Sequence, residues 1–201
     1  MIDDCIAKGK SLQEGGAHYN FSGPQGFGIA NMTDALYAIK TLVYEEKKLT
    51  IEEMKEALDY NYGQGFGTTK AQEVTEQIAK QLMAAGQKVG AEEIAMIYKQ
   101  VMADSKNHPK KARFEEIRAM IDTVPKYGND NEVVDLFARD VAYTYTKPLL
   151  GYMNPRGGIF QAGLYPVSAN VPLGAQTGAT PDGRLANTPV ADGVGPVSGK
   201  D

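Results

Sequence analysis

After Met153 this chain stops reading as helix, and that change limits the fold more than any other feature. Residues 154–201 carry glycine and proline at close intervals and almost no three-to-four period. Loops of this length are unusual inside a compact domain unless they are functional. The stretch holds Phe160, Leu164, Tyr165, Val167 and Val171 and few charges, which argues against disorder. It is expected to be a set of loops held against neighbouring structure, without a core of its own. Within it, Gly163 to Pro172 reads as one extended segment. Pro166 and Pro172 each lack an N–H donor, so it would make a poor central strand.

The preceding residues have a different character. Gly15 to Asn31 is too rich in glycine for a helix interior, and Asn31 or Thr33 is placed to cap a helix through Leu36, Ile39 and Val43, with Lys40 snorkelling. Thr50 followed by Glu53 is a capping-box pair opening a second helix with Met54 and Leu58 inside. Tyr62 to Gly67 breaks the pattern. Two amphipathic helices are predicted next: 69–85 with Val74, Ile78 and Leu82 on one face, and 91–104 with Ile94, Ile97, Tyr98 and Val101. A further helix spans 111–122 through Phe114, Ile117, Met120 and Ile121. The longest is expected to start at Asp130 and run through Val133, Val134, Phe137, Val141 and Tyr145 until Pro148 bends it.

Generic chemistry is sparse. The formal net charge of −4 gives no basic surplus for nucleic acid. No window reaches the ~18 apolar residues of a membrane span, and the first ten residues have no signal-peptide core. The single cysteine excludes an internal disulfide and fits a cytoplasmic setting. His18 and His108 are far apart, with no metal-ligand spacing around them. Gly26-Phe-Gly28 is followed by Asn31 where a dinucleotide loop needs glycine. Cys5 lies beside Asp3 and Asp4, which disfavour a thiolate, and the paired glutamates fall on solvated helix faces.

Several blocks in order say more. They are His18-Tyr-Asn-Phe-Ser-Gly-Pro-Gln-Gly-Phe-Gly-Ile-Ala-Asn31, Pro125-Lys-Tyr-Gly-Asn-Asp130, Asn154-Pro-Arg-Gly-Gly158, and Gly163-Leu-Tyr-Pro-Val-Ser-Ala-Asn-Val-Pro172. The last runs into Gly178-Ala-Thr-Pro-Asp-Gly-Arg184 and Pro189-Val-Ala-Asp-Gly193. Together they resemble the glycyl radical enzymes of the pyruvate formate-lyase and glycerol/propanediol dehydratase type, over almost the whole chain. The resemblance implies an α/β fold: part of a strand-and-helix barrel, mostly helical in its N-terminal part, with short strands in a loop-rich C-terminal part. On that basis residues 1–201 belong to the barrel domain, about 64–108 is a helical insertion, and the C-terminal glycyl radical domain is absent.

The family stores its radical on a glycine in an Arg-Val-x-Gly-Tyr motif and uses a cysteine in a Gly-Cys-x-Glu motif as the thiyl. Leu149-Leu150 precede Gly151-Tyr152, and Asp4 precedes Cys5, so neither pair matches. The chain is therefore expected to begin after the thiyl loop, to stop before the glycyl domain, and to be inactive alone. Its catalytic residues would lie outside it. Within the family, the Leu164 to Asn170 segment is most similar to the diol dehydratases. That likeness implies that Tyr165 and Val167 bind substrate. It also implies a radical installed by an S-adenosylmethionine iron–sulfur activating enzyme, no bound cofactor or metal, and a homodimer when complete. A pyruvate formate-lyase or another C–N or C–S radical lyase is the alternative within the class. A non-catalytic helical interaction module is the alternative outside it.

Overall fold

The computed structural model describes residues 2–197; Met1 and residues 198–201, the end of the loop-rich stretch, lie outside the described residues. The body is helical. A one-turn helix α1 (Cys5–Lys8) precedes the glycine-rich loop. Then come α2 (Ile29–Ile39), continued by a π-helical turn (Lys40–Glu45), and α3 (Ile51–Asp59). The helices α4 (Thr68–Ala84) and α5 (Ala91–Ser105) form a hairpin, and α6 (Lys111–Thr123) and α7 (Glu132–Thr146) follow. A last short helix, α8, spans Asn170–Gln176.

The apolar core lies among α2, α3 and α6. Leu42, Met54, Ala57, Phe114, Ile117 and Ile121 are all at most 1% exposed. The capping box forms as read. Thr50 Oγ1 accepts from the Glu53 N–H at 3.1 Å, and Glu53 Oε2 accepts from the Thr50 N–H at 2.9 Å. Arg113 of α6 donates to Glu53 Oε1 at 3.2–3.3 Å, which ties the cap to the next helix.

Three local expectations shift. Helix α2 begins at Ile29 behind Gly28, which sits at φ 76° and supplies no side-chain cap. Asn31 and Thr33 are therefore inside its first turns and buried. The Asn31 amide is engaged by distant partners instead of a nearby backbone N–H. In α4 the buried residues are Ala71, Thr75 and Ala79, with Val74, Ile78 and Leu82 half-buried beside them. Small side chains form this seam and the longer ones flank it. Helix α7 is capped by Asn131, whose side chain accepts from Val134 N–H at 3.3 Å; at 15 residues it is shorter than α4 at 17.

The larger correction concerns fold class. The expected α/β arrangement with short strands is not found: no strand or sheet occurs among the described residues, only three isolated bridges. Ser22 pairs with Phe160 and Gln25 with Gly163, both parallel, and Met153 pairs with Ile159 antiparallel. The reason is visible in the hydrogen bonds. Ser22 N–H donates to Ile159 O at 3.0 Å and Gln161 N–H to Ser22 O at 2.9 Å. Gly163 N–H donates to Pro24 O at 2.9 Å and Gly26 N–H to Gly163 O at 2.8 Å. These four keep one parallel register. The missing rung is the one Pro24 would have to donate, and proline has no N–H. The Gly163 to Pro172 segment is not extended to its end, because Asn170 starts α8. Pro172 falls in the first turn of that helix, where the N–H would be unpaired anyway.

The tail packs on the helical body with little core of its own. Ala179 and Leu185 lie against the apolar cluster. Tyr62 Oη donates to Thr180 O at 2.7 Å, Arg118 Nε to Gly183 O at 3.1 Å, Ala186 N–H to Asn61 Oδ1 at 2.7 Å, and Thr68 N–H to Asn187 Oδ1 at 3.0 Å. Burial pushes the Tyr62 phenol far above its ordinary range, so it serves as a neutral donor. Among the described residues no helix is long and apolar enough to cross a membrane.

Candidate functional site

The site is built where the glycine-rich loop meets the loops after Met153. Asn154 is the joint. It is 6% exposed, and its side chain makes four hydrogen bonds. Nδ2 donates to Asn20 O and to Ser22 Oγ, and Oδ1 accepts from the N–H groups of Arg156 at 2.9 Å and Gly158 at 3.1 Å. Those donors and acceptors satisfy the whole amide, so the turn 154–158 is fixed against the loop at 20–22. From the other side Tyr145 of α7 donates its hydroxyl to Pro24 O at 2.6 Å. Gly26 is required there: a Cβ would lie 2.6 Å from Tyr145 Cε1 and 2.8 Å from Leu164 Cδ2. A cleft of about 340 Å³ opens between this loop and α7, walled by Gln25, Phe27, Met32 and Tyr145.

Tyr165 and Val167 stand on the strip that leaves this pairing. Tyr165 is 44% exposed, and its Oη accepts from Gln25 Nε2. Val167 is half-buried, and its N–H donates to Asp192 O at 2.6 Å. Gly193, next to Asp192, lets Pro166 approach closely; a Cβ there would lie 2.8 Å from Pro166 Cα. The side chains that meet at Gln25 and Tyr165 carry no charge. An amide and a phenol can each donate and accept hydrogen bonds.

Behind this strip lies a buried polar network that sequence reasoning passed over. Asn31 Nδ2 donates to Asp182 Oδ2 at 2.6 Å, and Asn31 Oδ1 accepts from Ala191 N–H at 2.6 Å. Asp182 Oδ1 also accepts from Thr180 Oγ1 at 2.5 Å and from Arg184 N–H at 3.3 Å. Arg184, 6% exposed, donates to the carbonyls of Gly178, Leu185 and Thr188 and to Thr180 Oγ1. Burial pulls its pKa below the ordinary arginine value, with nearby Asp182 opposing that shift. The guanidinium thus closes the loop 178–188 around itself. Asn31, Asn154, Asp182 and Arg184 all sit in the sequence blocks set out above. Only their polar identity in low-charge surroundings hinted at burial.

Residues without a role here are also placed. Cys5 is half-buried in the single turn α1, and Gly151 sits in a turn at φ 88°. His18 is exposed, with Nδ1 3.3 Å from Asp4 Oδ2, and it holds that carboxyl below the usual range together with Lys8. His108 packs among Tyr60 and Phe114. Among the described residues no group of three or more His, Cys, Asp or Glu could hold a metal ion.

Residues 1–174 match the family model described as pyruvate formate lyase-like. A solved chain concerned with 1,2-propanediol dehydration in Roseburia inulinivorans is 61% identical over 99% of this chain, with a TM-score of 0.85, and this chain covers 24% of it. The glycerol-bound B12-independent glycerol dehydratase from Clostridium butyricum is 41% identical over 96% of this chain, with a TM-score of 0.64, and this chain covers 18% of it. The probable dehydratase YbiW of Escherichia coli (strain K12) is 34% identical over the full chain, which spans 20% of that protein.

Proposed function

The chain belongs to the pyruvate formate lyase-like family, and from that premise we propose that it is one part of a glycyl radical dehydratase acting on a vicinal diol, 1,2-propanediol before glycerol. The observation that carries this reading is the 61% identity to the chain concerned with 1,2-propanediol dehydration, against 41% to the glycerol dehydratase. The chain spans about a fifth of the length of its curated relatives. Tyr19, Phe21, Tyr152, Met153 and Ile159, each more than half exposed, flank the parallel pairing. They supply apolar surface on which the rest of such a protein would pack.

In this reading a glycyl radical and a thiyl supply the hydrogen abstraction that lets a diol lose water and become an aldehyde. Neither Cys5 nor Gly151 fits those roles, because their neighbours lack the motifs and they stand in a short helix and a turn. No step is assigned to them. What this chain contributes is a wall. Tyr165 donates its hydroxyl to a diol oxygen, Val167 bounds the pocket beside the substrate carbon, and the packed loops behind them exclude water from the radical. Activation by an S-adenosylmethionine iron–sulfur enzyme, a homodimeric whole and a helical insertion at about 64–108 belong to the same proposal.

The test is Tyr165→Phe in the complete, activated enzyme. It removes one hydrogen-bonding group and keeps the ring. Turnover of 1,2-propanediol per radical should fall about two- to tenfold, the range of one neutral hydrogen bond. Unchanged turnover on both diols would remove Tyr165 from the site.

A further inference from the structure

Tyr165 is oriented by its neighbours, and three separate features converge on its ring. The first is register. Gly163 N–H donates to Pro24 O at 2.9 Å and Gly26 N–H to Gly163 O at 2.8 Å, so Gln25 lies level with Gly163, two residues before Tyr165. The second is space. The Tyr165 ring folds back over Gly163, where a Cβ would lie 2.5 Å from Tyr165 Cε1 and 3.1 Å from Cδ1. Only glycine leaves that path open. The third is a direct bond, from Gln25 Nε2 to Tyr165 Oη, between residues 140 apart in sequence.

The direction of that bond has a chemical consequence. A phenol oxygen that accepts from an amide still has its own proton to give. An amide is also neutral at every working pH, so it cannot draw that proton away.

We propose that Gln25 is a positioning residue for the dehydration: it holds the Tyr165 hydroxyl as an acceptor, so that the phenol proton is aimed at the substrate hydroxyl. This rests on the reading of Tyr165 as a substrate contact. It gives the glycine-rich loop a specific task, which is to carry Gln25 alongside Gly163 in the one register that lets the amide reach the ring.

The experiment uses the complete activated enzyme, with turnover of 1,2-propanediol expressed per glycyl radical spin so that poorly folded protein is not counted. Gln25→Glu keeps the shape and reverses the bond: an ionised carboxylate can only accept, so the phenol must donate to it and is lost to the substrate. The expected result at neutral pH is a drop in kcat of about tenfold with a smaller change in KM. Activity relative to the parent should recover as the pH falls into the carboxylate range, where the protonated acid can donate again. Gln25→Leu should lose turnover without that added pH limb. In a Tyr165→Phe background Gln25→Glu should add no further loss, because the two residues act through one bond.

Parent-like turnover of both Gln25 variants, with Tyr165→Phe impaired, would overturn the role of Gln25 and leave the dehydratase reading standing. Full activity of Gln25→Glu at neutral pH, with Gln25→Leu impaired, would reverse the donor and overturn the proposal. An unimpaired Tyr165→Phe would overturn it together with the reading beneath it.

Discussion

The helical body and the loop-rich tail bury themselves by different means. In the body, Leu42, Met54, Phe114, Ile117 and Ile121 remove apolar surface from water, and neighbouring side chains can repack around a change. In the tail, the buried polar side chains are Asn154, Asp182 and Arg184, and hydrogen bonds hold each of them. Such a network tolerates little, since removing one member leaves others buried and unpaired. The tail's fixed shape therefore depends on specific partners, and several of them, Asn31, Asn61, Tyr62 and Arg118, belong to the body.

The largest effect should come from the apolar side. Phe114→Ala should destabilise the expressed chain by about 3–5 kcal/mol in chemical denaturation, because its ring is 1% exposed at the centre of the cluster. A loss below about 1 kcal/mol would place the core elsewhere. Next comes the polar side. Asp182→Ala leaves the Asn31 amide and the Arg184 N–H without their acceptor, and it should cost about 2–3 kcal/mol. Its signature should be local. Limited proteolysis should cut within 177–194 first, whereas Phe114→Ala should open the whole molecule. Equal susceptibility of both regions in both variants would erase the contrast.

A reciprocal exchange sharpens it. Asp182→Asn sets two amide groups donor to donor at Asn31, and Asn31→Asp sets two carboxylates together. The double substitution restores one donor and one acceptor, and it keeps the acceptors for Ala191 and Thr180. Stability of the double variant should exceed the additive expectation by about 1–2 kcal/mol. Strict additivity would mean that the tail is not held through Asn31.

The smallest effect belongs to the exposed helix start. Thr50→Ala should cost about 1 kcal/mol. The Glu53 carboxyl is held below the ordinary range, first by the Thr50 backbone N–H. Its contribution is present above the unfolded value and disappears as the pH falls through the lowered folded one. The difference between parent and Glu53→Gln should therefore shrink in acid, whereas that between parent and Thr50→Ala, which keeps the backbone N–H at position 50, should not.

These effects also mark what the sequence made legible. The capping box could be read because Thr50 and Glu53 are three residues apart, and the face of α6 because Phe114, Ile117 and Ile121 repeat along one helix. Asn31 was read as a cap because its neighbours in sequence allow that; its real partners lie 151 and 160 residues away. In α4 hydrophobicity marks Val74, Ile78 and Leu82, which are half-buried on one face, whereas close approach selects Ala71, Thr75 and Ala79. Short strands were expected where Pro24 removes a rung, and α8 was missed because Pro172 looks like a breaker away from a first turn. At the candidate site, Tyr165 and Val167 were singled out only through the family resemblance. Gln25, Asn154 and Arg184 needed the folded arrangement.

Product analysis on the complete protein, activated anaerobically until a glycyl radical signal is present, tests the central claim most directly. Given 1,2-propanediol and glycerol in separate reactions, the enzyme should convert both to the corresponding aldehydes, with the higher kcat/KM on 1,2-propanediol. A fully formed radical signal with no aldehyde from either diol would contradict the account.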